Sequence, residues 1–158
     1  MEVRWPLSSN RIRRGLVNNT FGMVRRNLNG TKRPHQGWDF YAADGTSCYA
    51  IAAGQVVFAG KSGAYGNLLV HSFPYEGETL YAAYAHMHDL SVATGQQVTK
   101  GQLIGHTGTT GNAAGMGGVD QHLHFELRTV AMPGLGLAGR MSPLEVFRQV
   151  PLDNAVIA

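Results

Sequence analysis

The chain has 158 residues, a length typical of one domain with its own hydrophobic core, so we expect a single domain over residues 1–158. The lone cysteine, Cys48, excludes an internal disulfide framework and a cysteine-rich zinc site, and no run of about 18 apolar residues predicts a membrane span. Basic residues near the N-terminus account for much of the net charge of +3, but no nucleic-acid motif accompanies them. A solvated basic face or attraction to an anionic polymer is therefore favoured over nucleic-acid binding.

The first half of the chain is predicted to consist of strands and turns. Glycine is abundant, at 21 residues, and only 15% of the residues are charged, which favours strands joined by tight turns over a helical bundle. Residues 1–34 are predicted to be irregular apart from a short strand near residues 21–24. After them the pattern predicts strands over residues 37–43, 48–53 and 55–59, with a turn at Ala43-Asp-Gly-Thr.

The second half continues the β pattern and ends in a helix. A hairpin is predicted with strands over residues 67–72 and 79–86, and short strands follow at 98–100 and 103–104. A glycine-rich loop over residues 108–119 then leads into an alternating strand that contains a His-x-His pair. The one predicted helix has Ser142 at its N-cap and Pro143 at its first helical position. We therefore predict a mostly β domain of antiparallel sheets with a short C-terminal helix.

Three motifs could supply metal ligands, and the first is His35-Gln-Gly-Trp-Asp39. Residues four apart share a face both on a helix and on an extended strand, so this spacing allows a ligand pair in either conformation. Pro34 and Gly37 argue against the helix. Imidazole and carboxylate groups are suitable zinc ligands.

The other two motifs each contain two histidines with strand spacing. His86 and His88 follow a predicted strand and share a face, so the pattern alone cannot choose between them. His122 and His124 project from one side of their strand, roughly 6–7 Å apart at the backbone. Two imidazoles at this spacing can share one metal ion, or one can bind the metal while the other handles protons.

Together the three motifs supply three ligands and spare bases within one β-domain. A catalytic zinc ion keeps an open position for water, whose pKa it lowers to about 7. A neighbouring imidazole without a metal bond can accept a proton from that water and donate one to a leaving amine. The motifs therefore indicate metal-assisted amide hydrolysis.

The same residues resemble a known enzyme family. The motifs His35-Gln-Gly-Trp-Asp39-Phe, Tyr84-Ala-His86-Met and His122-Leu-His124-Phe-Glu resemble those of the lysostaphin-type zinc endopeptidases, the LytM or M23 metallopeptidase family. Further segments resemble the family from the opening Trp5-Pro-Leu to the closing Ser142-Pro-Leu, so the resemblance spans nearly the whole chain. It implies a hybrid-barrel-type fold with a catalytic core over residues 20–130 and a C-terminal extension over residues 131–158.

The resemblance also implies a division of roles. His35, Asp39 and His124 would bind Zn²⁺, and His86 and His122 would be the catalytic histidines. The substrate would be peptidoglycan, cut at peptide bonds in its stems or cross-links, and both a polyglycine bridge and a D-Ala–diaminopimelate link remain open. Two features depart from the family pattern: the loop over residues 112–121 is longer, and His88 is an additional histidine.

Two other functions are weighed against this one. A catalytically inactive LytM-like regulator of a cell-wall amidase would keep the fold but is expected to lose ligands, whereas here all five motif positions are filled. A carrier domain of the biotinyl or lipoyl type is suggested by Val98-Thr-Lys-Gly-Gln-Leu. Lys100 lacks the methionine or acidic neighbours that such a domain needs, so this hypothesis is weak.

The N-terminal residues contain no apolar segment of the kind found in signal peptides. The implied peptidoglycan substrate lies in the periplasm or the extracellular cell wall, so we expect the protein to act there. Without such a segment, we expect it to arrive by phage lysis or a specialised secretion route. An immunity or delivery protein is a candidate partner, and the enzyme is expected to be a monomer.

Several other residues attract attention near the motifs. Glu126 is predicted to share a face with His124, where it could orient that ligand through a hydrogen bond or pair with Arg128. Tyr65 and Tyr84 are candidate contacts for developing negative charge, although packing is preferred for both. Structural roles are expected for Trp38, His71 and His106.

Overall fold

The computed structural model describes residues 2–158, and antiparallel strands make up most of the fold, which confirms the predicted class. Within these residues there are thirteen strands and one short α-helix. They are β1 (Ser9–Asn10), β2 (Gly22–Arg26), β3 (Lys32–His35), β4 (Trp38–Tyr41), β5 (Ser47–Tyr49), β6 (Gly54–Lys61), β7 (Asn67–Tyr75), β8 (Glu78–Leu90), β9 (Gln97–Val98), β10 (Leu103–Thr107), β11 (His122–Arg128), β12 (Arg140–Met141), α1 (Leu144–Phe147) and β13 (Val156–Ile157). None of the helical segments in the described part is long and apolar enough to cross a membrane.

One large sheet organises the fold. Strands β12, β11, β8, β7, β6 and β9 lie side by side in that order, β4 pairs with β11, and β10 pairs with both β5 and β8. Two smaller pairs, β2 with β3 and β1 with β13, stand outside this sheet. Strand β11, which carries the His-x-His pair, therefore lies between β4 and β8.

The predicted hairpin in the middle of the chain is present as β7 and β8. Its tip lies at Glu76 and Gly77, both of which have positive φ values. Strand β8 continues to Leu90, four residues beyond the predicted end at residue 86. The extension exists because β10 pairs with β8 at Asp89 and Leu90, and this partner is distant in the sequence.

Two sequence predictions differ from the structure. The predicted strand over residues 48–53 is wrong beyond Tyr49, because residues 50–53 are irregular, with bends at residues 51–53, and bond to other segments, for example Ala50 N–H to the Gln102 carbonyl at 2.9 Å. Residues 1–34 contain β1, β2 and most of β3 rather than a single strand. Strands β2 and β3 are rich in exposed basic residues, so they lack the apolar alternation by which strands are recognised.

A cluster of aromatic side chains forms the centre of the core. Phe40 on β4 contacts Trp38 on the same strand and Phe125 on β11 edge-to-face, at 5.9 and 6.2 Å between ring centroids. Trp5 stacks on Phe147 of α1 at 4.4 Å, so the N-terminal segment and the C-terminal helix cover the same face of these strands. Because strand side chains alternate, the intervening residues of β4 and β11 project to the opposite face.

The C-terminal helix is present, and it begins at Leu144, one residue later than predicted. Pro143 already has helical backbone angles, with φ −56° and ψ −19°, and the Ser142 hydroxyl oxygen accepts the Leu144 N–H at 3.2 Å. This bond satisfies one of the free donors at the start of the helix. The helix ends after one turn, where Arg148 adopts a left-handed conformation.

Candidate metal centre

The five residues singled out in the sequence lie together. His35 ends β3, Asp39 lies on β4, His86 on β8, and His122 and His124 on β11. All five are at most 7% exposed and line one cleft of about 440 Å³. Side chains from four strands thus converge on a single site.

Strand register brings the carboxylate to one histidine of the His-x-His pair. In the antiparallel pairing of β4 with β11, Asp39 lies directly opposite His124, and the face of the sheet they occupy is opposite the aromatic core. His35 is on a different strand from Asp39, so the two are not the two ends of one extended segment. The connection includes Gly37, whose Cα faces the Phe125 carbonyl so closely that a Cβ would collide with it.

Three atoms form a compact set of potential ligands. His35 Nε2 lies 3.2 Å from Asp39 Oδ1, His124 Nδ1 lies 2.8 Å from the same oxygen, and ligand atoms of the three residues all lie within 4.8 Å of one another. Two imidazole nitrogens and one carboxylate oxygen suit zinc, and three protein ligands leave a position for water or substrate.

The hydrogen bonds around His35 direct one nitrogen to this set. Its Nδ1–H donates to the Thr20 carbonyl at 2.7 Å, which leaves the Nε2 lone pair facing Asp39 Oδ1. Burial lowers the pKa of His35, so the ring is neutral at neutral pH. A neutral nitrogen and a carboxylate oxygen are both acceptors, and a cation bound to both would satisfy them. The residues therefore fit a divalent metal.

His124 is held by carboxylates on both sides. Its Nδ1 donates to Asp39, and its Nε2 donates to Glu126 Oε2 at 2.9 Å. Burial opposes the charged form, but these two hydrogen bonds prevail and raise the pKa of His124 to about 9. Burial likewise opposes ionisation of Asp39, yet the hydrogen bond from the charged His124 holds the pKa of Asp39 well below the usual range.

Glu126 combines the two roles considered for it. Besides the His124 N–H it accepts the Tyr65 hydroxyl on Oε2 at 2.8 Å, and its Oε1 accepts Arg128 Nε–H at 2.9 Å and Arg140 Nε–H at 2.6 Å. The carboxylate is fully buried. Burial alone would raise the pKa of Glu126, but the His124 bond and the two guanidinium groups hold it well below the ordinary value. Glu126 is therefore a permanent anion that orients His124.

His86 and His122 face each other beside the ligand set, with ring centroids 5.1 Å apart. His86 Nδ1–H donates to the Thr110 carbonyl at 2.9 Å, and His122 Nδ1–H donates to the Asp120 carbonyl at 2.8 Å. Burial lowers the pKa of His86 to about 4 and also lowers that of His122. Both rings are thus neutral at neutral pH, with an Nε2 lone pair available to the cleft.

The structure distinguishes His86 from His88. His86 has a φ of 61°, a left-handed conformation, at a point where the pairing of β8 with β7 shifts register. The irregularity turns His86 into the cleft, whereas the His88 side chain is 64% exposed and lies 3.6 Å from Asp44. The two histidines therefore do not share a face, contrary to the regular strand spacing.

Two arginines reach the site that the sequence motifs do not indicate. Arg25 Nη2–H donates to Asp39 Oδ2 at 3.1 Å, and Arg13 Nη2 lies 3.6 Å from the same oxygen. Arg13 Nη1 lies 3.1 Å from His122 Nδ1, but that nitrogen gives its hydrogen to the closer Asp120 carbonyl, so Arg13 places a positive charge beside the ring without a hydrogen bond to it. In the sequence these residues belong to the basic N-terminal region, for which a solvated face or attraction to an anionic polymer is expected. Their distance from the motifs along the chain leaves no local signal for this contact.

The remaining residues of interest have structural positions. Trp38 and Tyr84 are buried in the core, and His71 is buried with its Nε2 2.9 Å from the Tyr84 hydroxyl. His106 lies 3.0 Å from Asp89 near the surface. Tyr65 differs from the packing role preferred for it, because its hydroxyl bonds to the Glu126 carboxylate at the wall of the cleft.

Comparison with curated proteins finds relatives with different named activities. The chain is 36% identical over 117 residues to the DD-carboxypeptidase/endopeptidase Mpg of Neisseria meningitidis. The aligned region covers 74% of this chain and 25% of Mpg. It is 34% identical over 112 residues to the murein hydrolase activator NlpD of Salmonella dublin, covering 69% of this chain and 27% of NlpD. The chain thus spans about a quarter of the length of these relatives.

Solved structures and a family model agree on the fold. The catalytic domain of lysostaphin from Staphylococcus simulans superposes with a TM-score of 0.64 at 27% identity, covering 82% of this chain and 90% of that domain. A zinc-containing peptidase from Vibrio cholerae gives the same TM-score at 29% identity, covering 84% of this chain and 39% of that one. The model of peptidase family M23 matches residues 33–134, which include all five residues of the cleft. The chain therefore belongs to peptidase family M23.

Proposed function

We propose that the chain is a zinc-dependent endopeptidase that hydrolyses peptide bonds in the stems or cross-links of peptidoglycan. One observation carries the proposal: a three-residue ligand set and two neutral imidazoles meet in one cleft. Membership of family M23 and the similarity to Mpg support the reaction class.

We assign the metal to His35 Nε2, Asp39 Oδ1 and His124 Nδ1. When bound there, zinc would polarise the scissile carbonyl and lower the pKa of a water molecule. His124 would bind zinc through Nδ1 without the proton that this nitrogen carries, and its Nε2–H would keep the hydrogen bond to Glu126. The anionic Glu126 compensates part of the metal charge and fixes the ring orientation.

The two unligated histidines handle protons in this proposal. His122 and His86 each hold their Nδ1–H on a backbone carbonyl, so Nε2 can accept the proton that the attacking water loses. The ring that takes the proton becomes a donor, to the developing oxyanion and then to the leaving amine. Burial and the nearby Arg13 disfavour the charged form of His122, which promotes rapid transfer of the proton onwards.

Digestion of purified sacculi followed by mass spectrometry of the muropeptides tests the function and identifies the bond. We expect cleavage by the zinc-loaded protein, loss with a chelator, and loss in His122→Ala. The matched control is His106→Ala, which removes a histidine outside the cleft. Intact cross-links after treatment of several wall types with the wild-type protein would overturn the enzyme assignment.

The second candidate is a catalytically inactive regulator of a cell-wall amidase, which the similarity to NlpD favours. This candidate predicts stoichiometric zinc binding, or none, together with intact sacculi and stimulation of a purified amidase. The complete set of five residues in the cleft favours the enzyme.

The place of action and the assembly are part of the same proposal. Peptidoglycan as substrate places the activity in the periplasm or the extracellular cell wall. All five cleft residues come from one chain, so a monomer suffices for activity. Analytical ultracentrifugation of the active protein would test this point.

A further inference from the structure

A second cleft, of about 590 Å³, adjoins the metal-centre cleft and shares Arg13 and Arg25 with it. We call it the arginine cleft, because five arginines line it: Arg13, Arg14, Arg25, Arg26 and Arg33. Its walls are the turn at residues 13–15 and the hairpin of β2 and β3. Substrate bound at the metal centre would therefore extend directly past this concentration of positive charge.

The hairpin is built with like charges opposite each other. In the pairing of β2 with β3, Arg25 lies opposite Arg33 and Arg26 lies opposite Lys32. Like charges directly across a strand pair are destabilising. Like-charged cross-strand pairs of this kind are expected where a surface binds a ligand, and an anion between the strands would relieve the repulsion.

The carboxylates near the cleft are already engaged. Asp120 pairs with Arg14 through two bonds of 2.7 and 2.9 Å, and the buried Asp39 receives Arg25 and Arg13. Across residues 2–158, no carboxylate lies within salt-bridge distance of Arg26 or Arg33, the two exposed arginines of the hairpin.

We propose that the arginine cleft binds a free carboxylate of a peptide whose scissile bond lies at the metal centre. The inference rests on the proposed function and narrows its substrate: stem peptides carry free carboxylates, whereas a polyglycine bridge offers none along its length. Guanidinium groups suit this ligand because their planar fork matches a carboxylate. The concentrated positive charge would also attract an acidic strand before contact.

Binding of a defined peptide to the zinc-loaded protein tests the inference without depending on catalysis. The probe is the tetrapeptide L-Ala–γ-D-Glu–diaminopimelate–D-Ala, compared with the same peptide in which every free carboxylate is a carboxamide. Affinity is measured by calorimetry, and the site by amide shifts of β2 and β3 in NMR spectra. We expect the acid to bind about tenfold more tightly than the amide, as two partly exposed ion pairs would give.

Paired variants locate the effect. In Arg26→Gln/Arg33→Gln the preference for the acid should disappear, because the two guanidinium groups that would bind the carboxylate are lost. These residues touch no member of the metal centre, so the zinc site itself should be unchanged. It should persist in Lys100→Gln/Arg148→Gln, which removes the same charge from exposed positions outside both clefts. Thermal unfolding of both variants verifies that each is folded.

Equal affinity for acid and amide, no binding of either, or a preference that survives in Arg26→Gln/Arg33→Gln would overturn the inference. Stronger binding of inorganic phosphate or an oligonucleotide than of the peptide would also overturn it, in favour of a phosphate ligand. Failure of the proposed function is a separate result: sacculi would stay intact although the acid peptide still bound at β2 and β3.

Discussion

Replacement of Glu126 by glutamine is the most informative perturbation of the site. Five donors converge on this carboxylate, from His124, Tyr65, Gln36, Arg128 and Arg140. Glutamine has only one acceptor oxygen in place of the two carboxylate oxygens. In either orientation of its amide, the NH₂ group would face donors that hydrogen-bond to a carboxylate oxygen in the wild-type protein. The substitution also leaves two guanidinium groups without their buried counter-charge.

The size of the effect follows from these contacts. Removing one partner of a buried ion pair costs about 3–5 kcal/mol, and both arginine side chains are about as buried as Glu126 itself. For a domain of this length that corresponds to a fall in Tm of about 6–20 °C. Loss of the bond that orients His124 should also weaken metal binding by about 10–100-fold.

Two measurements test the prediction separately. Urea unfolding of the metal-free protein gives the loss of stability, and competition with a chromogenic chelator gives the zinc affinity. Glu78→Gln is the matched control, because this exposed residue at the start of β8 has no ion pair among the described residues. A Glu126→Gln protein with unchanged stability and unchanged zinc affinity would refute the assignment of Glu126 as the group that orients His124.

Further predictions follow from other contacts. Alanine at His122 or His86 should reduce turnover by about 10²–10⁴-fold while zinc remains bound, which metal analysis and muropeptide release would check together. Removal of zinc by a chelator should abolish activity reversibly, and failure of added zinc to restore it would contradict the proposed cofactor. Gly37→Ala should destabilise the protein because the new Cβ collides with the Phe125 carbonyl, as a lowered Tm would show. Burial lowers the pKa of His71 to about 4, so this residue takes up a proton in the unfolded chain before it does so in the folded protein as the pH falls. The contribution of His71 to stability should be fully present well above pH 6.5, and about 3 kcal/mol of it should be lost by pH 4. Urea titrations should show a weaker pH dependence in His71→Gln than in the wild-type protein.

The fold class could be predicted because its signals are local. Glycine-marked turns and the alternation in β11 depend on residues that are close in the sequence, and so does the tip of the β7–β8 hairpin. The hairpin of β2 and β3 has no apolar alternation because much of it is exposed, so the sequence indicated only a short strand there. The hairpin supplies mainly charged side chains to the site and its surroundings. The sequence does not show what these side chains contact, because that depends on where the neighbouring segments lie in the fold.

The choice between His86 and His88 could not be made from the sequence for a different reason. Regular strand geometry puts both on one face. The left-handed conformation of His86 arises where β8 changes its pairing between β7 and β10, and neither partner is adjacent to this point in the sequence. A single irregularity of the backbone thus decides which histidine faces the cleft.

Strand spacing likewise explains why His122 and His124 reach one cleft, but their different roles depend on contacts from elsewhere. His124 has a carboxylate on each ring nitrogen, one from β4 and one from Glu126, so it has no free nitrogen with which to exchange protons with substrate. His122 bonds to the Asp120 carbonyl through Nδ1, and its Nε2 is 3.9 Å from Asp39 Oδ2. A ring held between two anions is suited to bind a cation, whereas a neutral ring with one free lone pair is suited to accept a proton. The proposed division between ligand and base therefore follows from the register of β4 against β11, which pairs Asp39 with His124 and Tyr41 with His122.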